Sequence, residues 1–251
     1  MIGTIANDLD ARMATALAAK GHSFVTQPYV STMTVCVKTS FRIVNVVELE
    51  RLLPYAAAMC NANIKSMRRF RNAVILKICT DGTCLNVKIF INGTLHFTGA
   101  KCLRDVADAS ENICSVLALI YEDQAIVEAS EMNVQMMNVS CKVSAAFDMD
   151  ESFEALSRAK DLPCVVTYNK ANHAAIKLKF AKTTAMVFRT GSISFMGNKT
   201  PEDFSETLAI LMDELMPSYF SQVAEIYRNQ KIQNTNMEVI THEIASFLSV
   251  G

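Results

Sequence analysis

The residues of this chain that could attack a substrate or bind a metal are not spaced for either role. Its eight cysteines include no Cys-x-x-Cys pair, and most stand inside apolar runs, as Cys36, Cys141 and Cys164 do. The four histidines are isolated, so no metal-ligand spacing arises. We find no carboxylate pair, nucleophile–base pair or Gly-rich phosphate loop. The sequence therefore predicts buried reduced thiols, no metal site, no cofactor and no enzymatic activity.

A cluster of basic and aromatic residues indicates a different chemistry. Arg68, Arg69, Phe70 and Arg71 stand together immediately before a predicted strand. Arginines at a loop tip can hold phosphates while a phenylalanine enters a base stack. The alternative is that Phe70 is a core residue beneath a solvated basic loop. Global charge alone disfavours nucleic-acid binding, because the net charge of −1 gives no general attraction to nucleic acid.

The strongest pattern in the chain is a long-period repeat. Residues 87–101 read VKIFINGTLHFTGAK, and residues 185–199 read AMVFRTGSISFMGNK. The shared frame is apolar-Phe-x-x-Gly-x-apolar-x-Phe-x-Gly-x-Lys. A repeat of this kind indicates two similar supersecondary units that pack against each other.

Hydrophobic periodicity places each motif in a unit of strand, helix, strand meander and helix. In the first unit it predicts strands at 29–38, 73–79, 87–91 and 94–98, and helices at 45–59 (kinked or broken at Pro54) and 103–120. In the second it predicts strands at 133–143, 174–180, 184–189 and 192–196, and helices at 150–160 and from Pro201 to about 215.

These elements predict four segments. They are an N-terminal helical extension (1–27), a first repeat (28–125), a second repeat (130–216) and a C-terminal helical extension (217–251). Helices would cover one face of each sheet only, so the other face is either solvated or binds something large. Alternation makes Leu95 and Phe97 core residues and turns His96 and Thr98 the other way. No apolar run approaches the roughly 20 residues of a membrane span.

The segment from Phe90-x-x-Gly93 to Thr98-Gly99-Ala100-Lys101 resembles the TATA-box-binding protein family, and Phe188 to Lys199 is similar to the second repeat of that family. The similarity covers about residues 28–216, and the chain looks like the diverged relatives that large DNA viruses encode. The resemblance implies an α+β saddle. In it two pseudo-symmetric repeats form one curved antiparallel sheet with helices on the convex face, and the concave face opens the DNA minor groove.

Site residues follow from the resemblance. Phe90 and Phe188 fall on phenylalanines that wedge between base steps, and Phe70 lies one position from another wedge. The implied DNA-binding set is Thr32, Thr34, Phe70, Phe90, His96, Thr98, Met136, Asn138, Phe188 and Met196. The implied phosphate-contacting set is Arg68, Arg69, Arg71, Lys77, Lys101, Lys179 and Lys199.

The chain departs from the family at several of these positions. Thr32 and Met136 stand where the family has asparagines at the pseudo-dyad, and Met196 replaces a threonine. No phenylalanine lies near residues 169–173, so the second repeat lacks one wedge. Residues 29–120 carry 11 Lys and Arg against 6 Asp and Glu, whereas residues 131–216 carry 9 against 11. We therefore expect relaxed or altered sequence preference and binding mainly through the first repeat.

The resemblance implies a general transcription initiation factor that binds and bends promoter DNA. Its implied partners are double-stranded DNA, general transcription factors resembling factor IIB and factor IIA (or viral equivalents), and RNA polymerase indirectly, with no membrane. The expected location is the nucleus, or a cytoplasmic viral factory for a viral protein. The alternative is a protein-interaction scaffold of the same fold without strong DNA binding.

Overall fold

The computed structural model describes residues 24–43, 45–60, 62–80, 83–121, 129–143, 146–159, 162–171 and 174–213. The predicted C-terminal extension and most of the predicted N-terminal extension lie outside these residues. So does the Asp81-Gly82 turn. No described helix combines the length and the apolar character that crossing a membrane requires.

The described elements repeat in the same order. The first repeat contains β1 (Phe24–Thr39), α1 (Val46–Met59), β2 (Asn63–Phe70), β3 (Ala73–Thr80), β4 (Thr83–Phe90), β5 (Thr94–Ala100) and α2 (Leu103–Ile120). The second contains β6 (Ala129–Val143), α3 (Met149–Arg158), β7 (Val165–Thr167), β8 (Ala175–Lys179), β9 (Thr184–Phe188), β10 (Ser192–Asn198) and α4 (described over 201–213).

All ten strands form one antiparallel sheet in the order β2-β3-β4-β5-β1-β6-β10-β9-β8-β7. The order is pseudo-symmetric about its centre. Counted from the two ends inwards, the first-repeat strands β2, β3, β4, β5 and β1 correspond to the second-repeat strands β7, β8, β9, β10 and β6. Within the sheet the two repeats are therefore joined by the β1–β6 pair, and α2 of the first repeat also contacts β6 of the second. The predicted α+β saddle with two repeats and one curved antiparallel sheet is confirmed.

The β1–β6 pair is irregular along its length. Its register shifts at five places, including one between Thr34 and Val35, where Thr34 pairs with Met136 and Val35 with Val134. Register shifts of this kind bend a strand and increase its local twist. The seam between the repeats is thus the least regular part of the sheet.

One hydrophobic core lies between the sheet and the helices. Alternate strand residues point into it, for example Val74, Leu76 and Ile78 of β3 and Leu95 and Phe97 of β5. The helices contribute their apolar faces, with Leu53 of α1 and Phe204 of α4 fully buried. Removing this much apolar surface from water is the main stabilisation of the fold. The opposite sheet face, called the open face below, is covered by no described helix.

Three local predictions differ from the structure. Neither β2 nor β7 was predicted, because β2 is a polar edge strand and β7 has only three residues, so neither shows a clear apolar alternation. Strand β1 begins at Phe24, inside the segment predicted as an extension. Helix α1 runs unbroken through Pro54, because Leu49, Leu53 and neighbouring alanines anchor it on the core and the Asn45 side chain caps its first turn.

The cysteines follow the prediction of buried reduced thiols only in part, and they depart from it most clearly at one hairpin. Cys79 of β3 and Cys84 of β4 are register partners and form a disulfide. The prediction of reduced thiols is wrong for this pair, because the hairpin brings together two cysteines whose sequence spacing carries no signal. The other six cysteines form no disulfide; Cys114 and Cys141 are buried, and the remaining four are half-buried. Burial raises the pKa of Cys114 to about 11 and that of Cys141 to about 12, so both remain thiols.

A buried carboxylate fixes the start of α4. Asp203 accepts hydrogen bonds from the backbone amides of Lys199 (3.2 Å) and Thr200 (3.1 Å), and the Thr200 hydroxyl accepts one from the Asp203 amide. This is a reciprocal capping box. Lys182 Nζ adds an ion pair at 2.9 Å. Burial by itself would raise the pKa of Asp203, but the bonds from Lys182 and the two amides outweigh it and the pKa is lowered.

We expect the folded state to lose stability on acidification partly through Asp203. A carboxylate with a lowered folded-state pKa stabilises the fold above its unfolded value, near 3.8, and this stabilisation is lost as the pH falls through the folded-state pKa. Urea unfolding at a series of pH values should therefore show a weaker acid dependence for Asp203→Asn. Glu206→Gln, exposed on the same helix, is the control. An Asp203→Asn variant with the wild-type acid dependence would contradict this assignment.

Candidate nucleic-acid interface

The open face carries most of the residues that the sequence indicated for base contact. Strand alternation puts Thr32, Thr34, His96, Thr98, Met136, Asn138 and Met196 on this face, all half-buried or exposed, on the four central strands β5, β1, β6 and β10. Leu95 and Phe97 are fully buried on the other side, as predicted. The seven side chains therefore share one surface in the middle of the sheet.

The centre of this surface is a group of four residues across the β1–β6 seam, called the central quartet below. Thr32 pairs with Asn138, and Thr34 pairs with Met136. Thr98 of β5 lies next to the Thr34–Met136 pair, because it is the register partner of Thr34 on the other side. Next to the Thr32–Asn138 pair, the Gly197 amide of β10 donates to Asn138 Oδ1 at 3.4 Å. The two halves are thus alike in backbone geometry and unlike in side-chain chemistry.

His96 lies beside this centre as a neutral side chain. It is the register partner of Cys36 on one side and Lys88 on the other. Burial, and then the charge of Lys88, lower its pKa, and its Nδ1 atom is buried without a hydrogen-bond partner. The neutral imidazole can donate or accept a hydrogen bond but brings no charge to a phosphate.

Phenylalanines stand at the ends of the open face. In the first repeat Ala73 pairs with Phe70 of β2 and with Phe90 of β4, so two aromatic residues flank one small, fully buried side chain. We call these three residues the first aromatic end. Phe70 is 52% exposed, which excludes the alternative that it is a core residue. In the second repeat Ala175 pairs with Phe188 of β9.

The repeated Phe-x-x-Gly motif is the turn that positions Phe90 and Phe188. The Gly93 amide donates to the Phe90 carbonyl at 2.9 Å, and the Gly191 amide donates to the Phe188 carbonyl at 3.0 Å. Gly93 has a φ of 81°, and a Cβ atom there would lie 1.8 Å from the Phe41 carbonyl oxygen. Only glycine fits this turn, so the motif records a backbone requirement of both repeats.

The second repeat has no aromatic partner for Phe188 among the described residues. Strand β7 ends at Thr167, which pairs with Lys177, so no strand residue stands opposite Ala175 on that side. The nearest aromatic residue along the chain, Tyr168, packs against Phe153 of α3 with 5.9 Å between ring centroids. Its ring therefore belongs to the helix-covered side. The missing wedge of the second repeat stays a prediction.

The predicted arginine cluster divides between two faces. Arg68 pairs with Ile75 and lies on the open face, and Arg71 is exposed at the β2–β3 turn. Arg69 lies on the opposite face, where its backbone amide donates to the Glu50 carboxylate at 3.1 Å and its Nε lies 3.7 Å from the same group. Its placement beside α1 does not fit the predicted phosphate contact, since neighbouring strand residues point to opposite sides.

The lysines on the open face differ in part from the predicted set. Lys77 and Lys179 are exposed there at equivalent positions of β3 and β8, whereas Lys101 and Lys199 follow the ends of β5 and β10, next to the helices. Sequence reasoning missed three half-buried lysines that strand alternation could have found: Lys88, Lys142 and Lys177.

These lysines change the charge comparison between the repeats. Lys77, Lys88 and Arg68 lie on the open face of the first repeat, and Lys142, Lys177 and Lys179 lie on that of the second. Lys38 is also on this face but forms an ion pair with Glu131 at 2.7 Å. The acidic excess of the second repeat lies largely on α3 and α4, at Glu151, Glu154, Glu202, Asp203 and Glu206. Cations are thus divided evenly on the open face, unlike the charges of the whole repeats.

Comparison with known proteins agrees with this architecture. Residues 132–217 match the model of the family described as transcription factor TFIID, or TATA-binding protein. The fold is similar to that of Methanococcus jannaschii TBP at 15% sequence identity, with a TM-score of 0.54, over 76% of this chain and 99% of that one. No curated protein sequence matches the chain.

Two further solved structures show much weaker similarity. One is a complex of A. aeolicus tRNASec with M. kandleri SerRS (13% identity, 79% of this chain, 31% of that one, TM-score 0.29). The other is Clostridium acetobutylicum aspartate kinase (10% identity, 78% and 36%, TM-score 0.22). Neither score bears on the fold. Residues 132–217, which contain most of the second repeat, thus resemble the TATA-binding protein family in sequence, and the described two-repeat saddle has the fold of a TATA-binding protein.

Proposed function

We propose that this protein is a general transcription initiation factor that binds promoter DNA in the minor groove, bends it and recruits the transcription machinery. The observation that carries the proposal is the open face, a sheet surface that no described helix covers, with phenylalanines at both ends and cations beside them. Such a surface has the parts that minor-groove binding and DNA bending require. We propose no catalytic activity and no cofactor.

Each part of the face has a physical role in this proposal. The hydroxyl, amide and thioether side chains of the central strands lie against base edges. Phe70, Phe90 and Phe188 enter base steps and unstack them, and Arg68 and the lysines neutralise phosphates. Specificity comes mainly from DNA deformability and the limited minor-groove pattern, because the face offers few directional groups. We therefore propose relaxed or altered sequence preference.

The two ends of the face act unequally on DNA in this proposal. The first aromatic end offers two rings on either side of Ala73, whereas the second offers Phe188 alone among the described residues. We expect the larger kink at the first end. Phosphate contacts are shared by both repeats, since the open-face cations are evenly divided.

The helix-covered side is available for protein partners. Tyr55 and Met59 of α1 are each 72% exposed, and Val47 is exposed on the same helix. We propose that factors resembling factor IIB and factor IIA, or viral equivalents, bind outside the open face and bring RNA polymerase indirectly. The proposed location is the nucleus, or a cytoplasmic viral factory if the protein is viral.

A salt titration of DNA binding tests the proposal. The slope of log K against log salt is negative, and each neutralised phosphate contact should make it steeper by about 0.9. We expect Lys77→Gln and Lys179→Gln each to make this slope shallower by about the same amount, because the two lysines occupy equivalent positions. Arg51→Gln, exposed on α1, is the matched control and should leave the slope unchanged. Absence of salt-dependent binding in the wild type would instead favour the scaffold function.

A further inference from the structure

Asn138 has a fixed amide orientation in the central quartet. The side chain is half-buried on the open face, and its register partner is Thr32. The Ser31 hydroxyl donates to the Asn138 carbonyl oxygen at 3.1 Å, which ties the two seam strands together at this point. The Gly197 amide donates to Asn138 Oδ1 at 3.4 Å.

The bond from Gly197 decides which end of the amide faces a ligand. A backbone N–H can only donate, so the atom next to Gly197 is the amide oxygen. The amide nitrogen Nδ2, with its two N–H donors, is therefore directed elsewhere. It has no hydrogen-bond partner among the described residues, and it is not one of the buried unpaired atoms. Asn138 thus has both amide donors available to a molecule on the open face, while its acceptor oxygen is engaged by the Gly197 amide.

The other members of the quartet have no comparable group. Thr32 and Thr34 carry hydroxyls, which can rotate to donate or accept, and Met136 has only a weak thioether acceptor. The counterpart of Asn138 in the first repeat is Thr34, which pairs with Met136. A directed donor therefore lies on one side of the pseudo-dyad only.

Minor-groove chemistry gives this donor a specific meaning. An A·T pair shows only acceptors there, adenine N3 and thymine O2, whereas a G·C pair adds the guanine amino donor. Two donors that face each other cannot form a hydrogen bond. We propose that Asn138 reads one of the two central base-pair steps as acceptor-only, so that the site excludes G·C on one side of its centre and tolerates it on the other. This inference rests on the proposed DNA binding and gives the protein a preferred orientation on its site.

Inosine substitution tests the inference on the full chain. Starting from a duplex selected from random sequences, each central pair is made A·T, G·C or inosine·cytosine, and affinity is measured by fluorescence anisotropy. Inosine lacks the guanine amino group and otherwise keeps its minor-groove pattern. We expect G·C at one central step to weaken binding about fivefold to tenfold, and inosine·cytosine there to restore it. The same changes at the other step should have little effect.

Variants of Asn138 separate base recognition from structure. Asn138→Ala should remove the G·C penalty. Asn138→Asp keeps an acceptor for the Gly197 amide but replaces the donors by a charged oxygen, and it should remove the preference for an acceptor-only pair even though the local bond is kept. Asn133→Ala, exposed on the same strand and face, is the control and should keep the penalty.

The outcomes distinguish this inference from the function on which it rests. A wild-type protein that binds no duplex in the selection fails the proposed function. A protein that binds DNA but shows an equal G·C penalty on both sides, or one that Asn138→Ala and Asn138→Asp leave unchanged, overturns the role of Asn138 while the proposed function stands.

Discussion

Replacing Phe70 and Phe90 together by alanine is expected to reduce the DNA bend sharply and to weaken binding by about 100-fold. Burial of one phenylalanine side chain contributes about 1.5–3 kcal/mol, and tenfold in affinity corresponds to about 1.4 kcal/mol. Both rings belong to the first aromatic end, where they flank Ala73. Without them the bases at that end stay stacked and the duplex leaves the outer part of the face.

Energy transfer between dyes at the two DNA ends measures the bend, and a titration in the same assay gives the affinity. Phe188→Ala removes the one described ring of the other end and should cost about tenfold in affinity with a smaller change in bend. Tyr55→Ala, an exposed aromatic residue on α1, is the control and should match the wild type. A bend that the double variant leaves unchanged at saturation would rule out the wedge roles.

The second large effect is expected on stability, at Asn198. This residue is fully buried, and its Nδ2 donates to the carbonyls of Met137 (3.1 Å) and Phe195 (3.4 Å) while its Oδ1 accepts from the Thr183 hydroxyl (2.8 Å). Asn198→Ala leaves three buried polar groups without these bonds. We expect the free energy of unfolding to fall by about 2–4 kcal/mol.

Urea denaturation of paired variants checks the reason for this loss. In Thr183→Val/Asn198→Ala the orphaned hydroxyl is gone as well, so the double variant should be no less stable than Asn198→Ala and closer to the wild type. Asn86→Ala, exposed on β4, should change stability by less than about 0.5 kcal/mol. A loss at Asn198 as small as that at Asn86 would show that the buried network contributes little.

The repeated motif predicted two similar units, the family resemblance that it carries predicted the saddle, and strand alternation predicted the two faces of the sheet. Glycine spacing fixed the hairpins, and alternation separated Leu95 and Phe97 from His96 and Thr98, which the burial of these residues confirms. Strands β2 and β7 escaped prediction because an edge strand buries little apolar surface and leaves a weak pattern. Helix α1 survives Pro54 because packing on the core outweighs one lost backbone bond.

The site was predictable where strand alternation applied and less so elsewhere. It would have placed Lys88, Lys142 and Lys177 correctly, and it separates Arg68 from Arg69 once β2 is recognised as a strand. Contacts between distant segments left no sequence signal. The Arg69–Glu50 contact and the Gly197–Asn138 bond both depend on tertiary geometry that no local pattern encodes.

The irregular β1–β6 seam has a mechanical consequence. Outside it, each repeat is a set of strands in nearly regular register backed by helices, which makes a stiff plate. The five register shifts at the seam concentrate twist between the two plates. The seam therefore influences the distance between the two ends of the open face and, under the proposed function, the number of base pairs between two kinks. Adding or deleting one residue in β1 or β6 should change the length of DNA that the face can span, while each plate keeps its own structure.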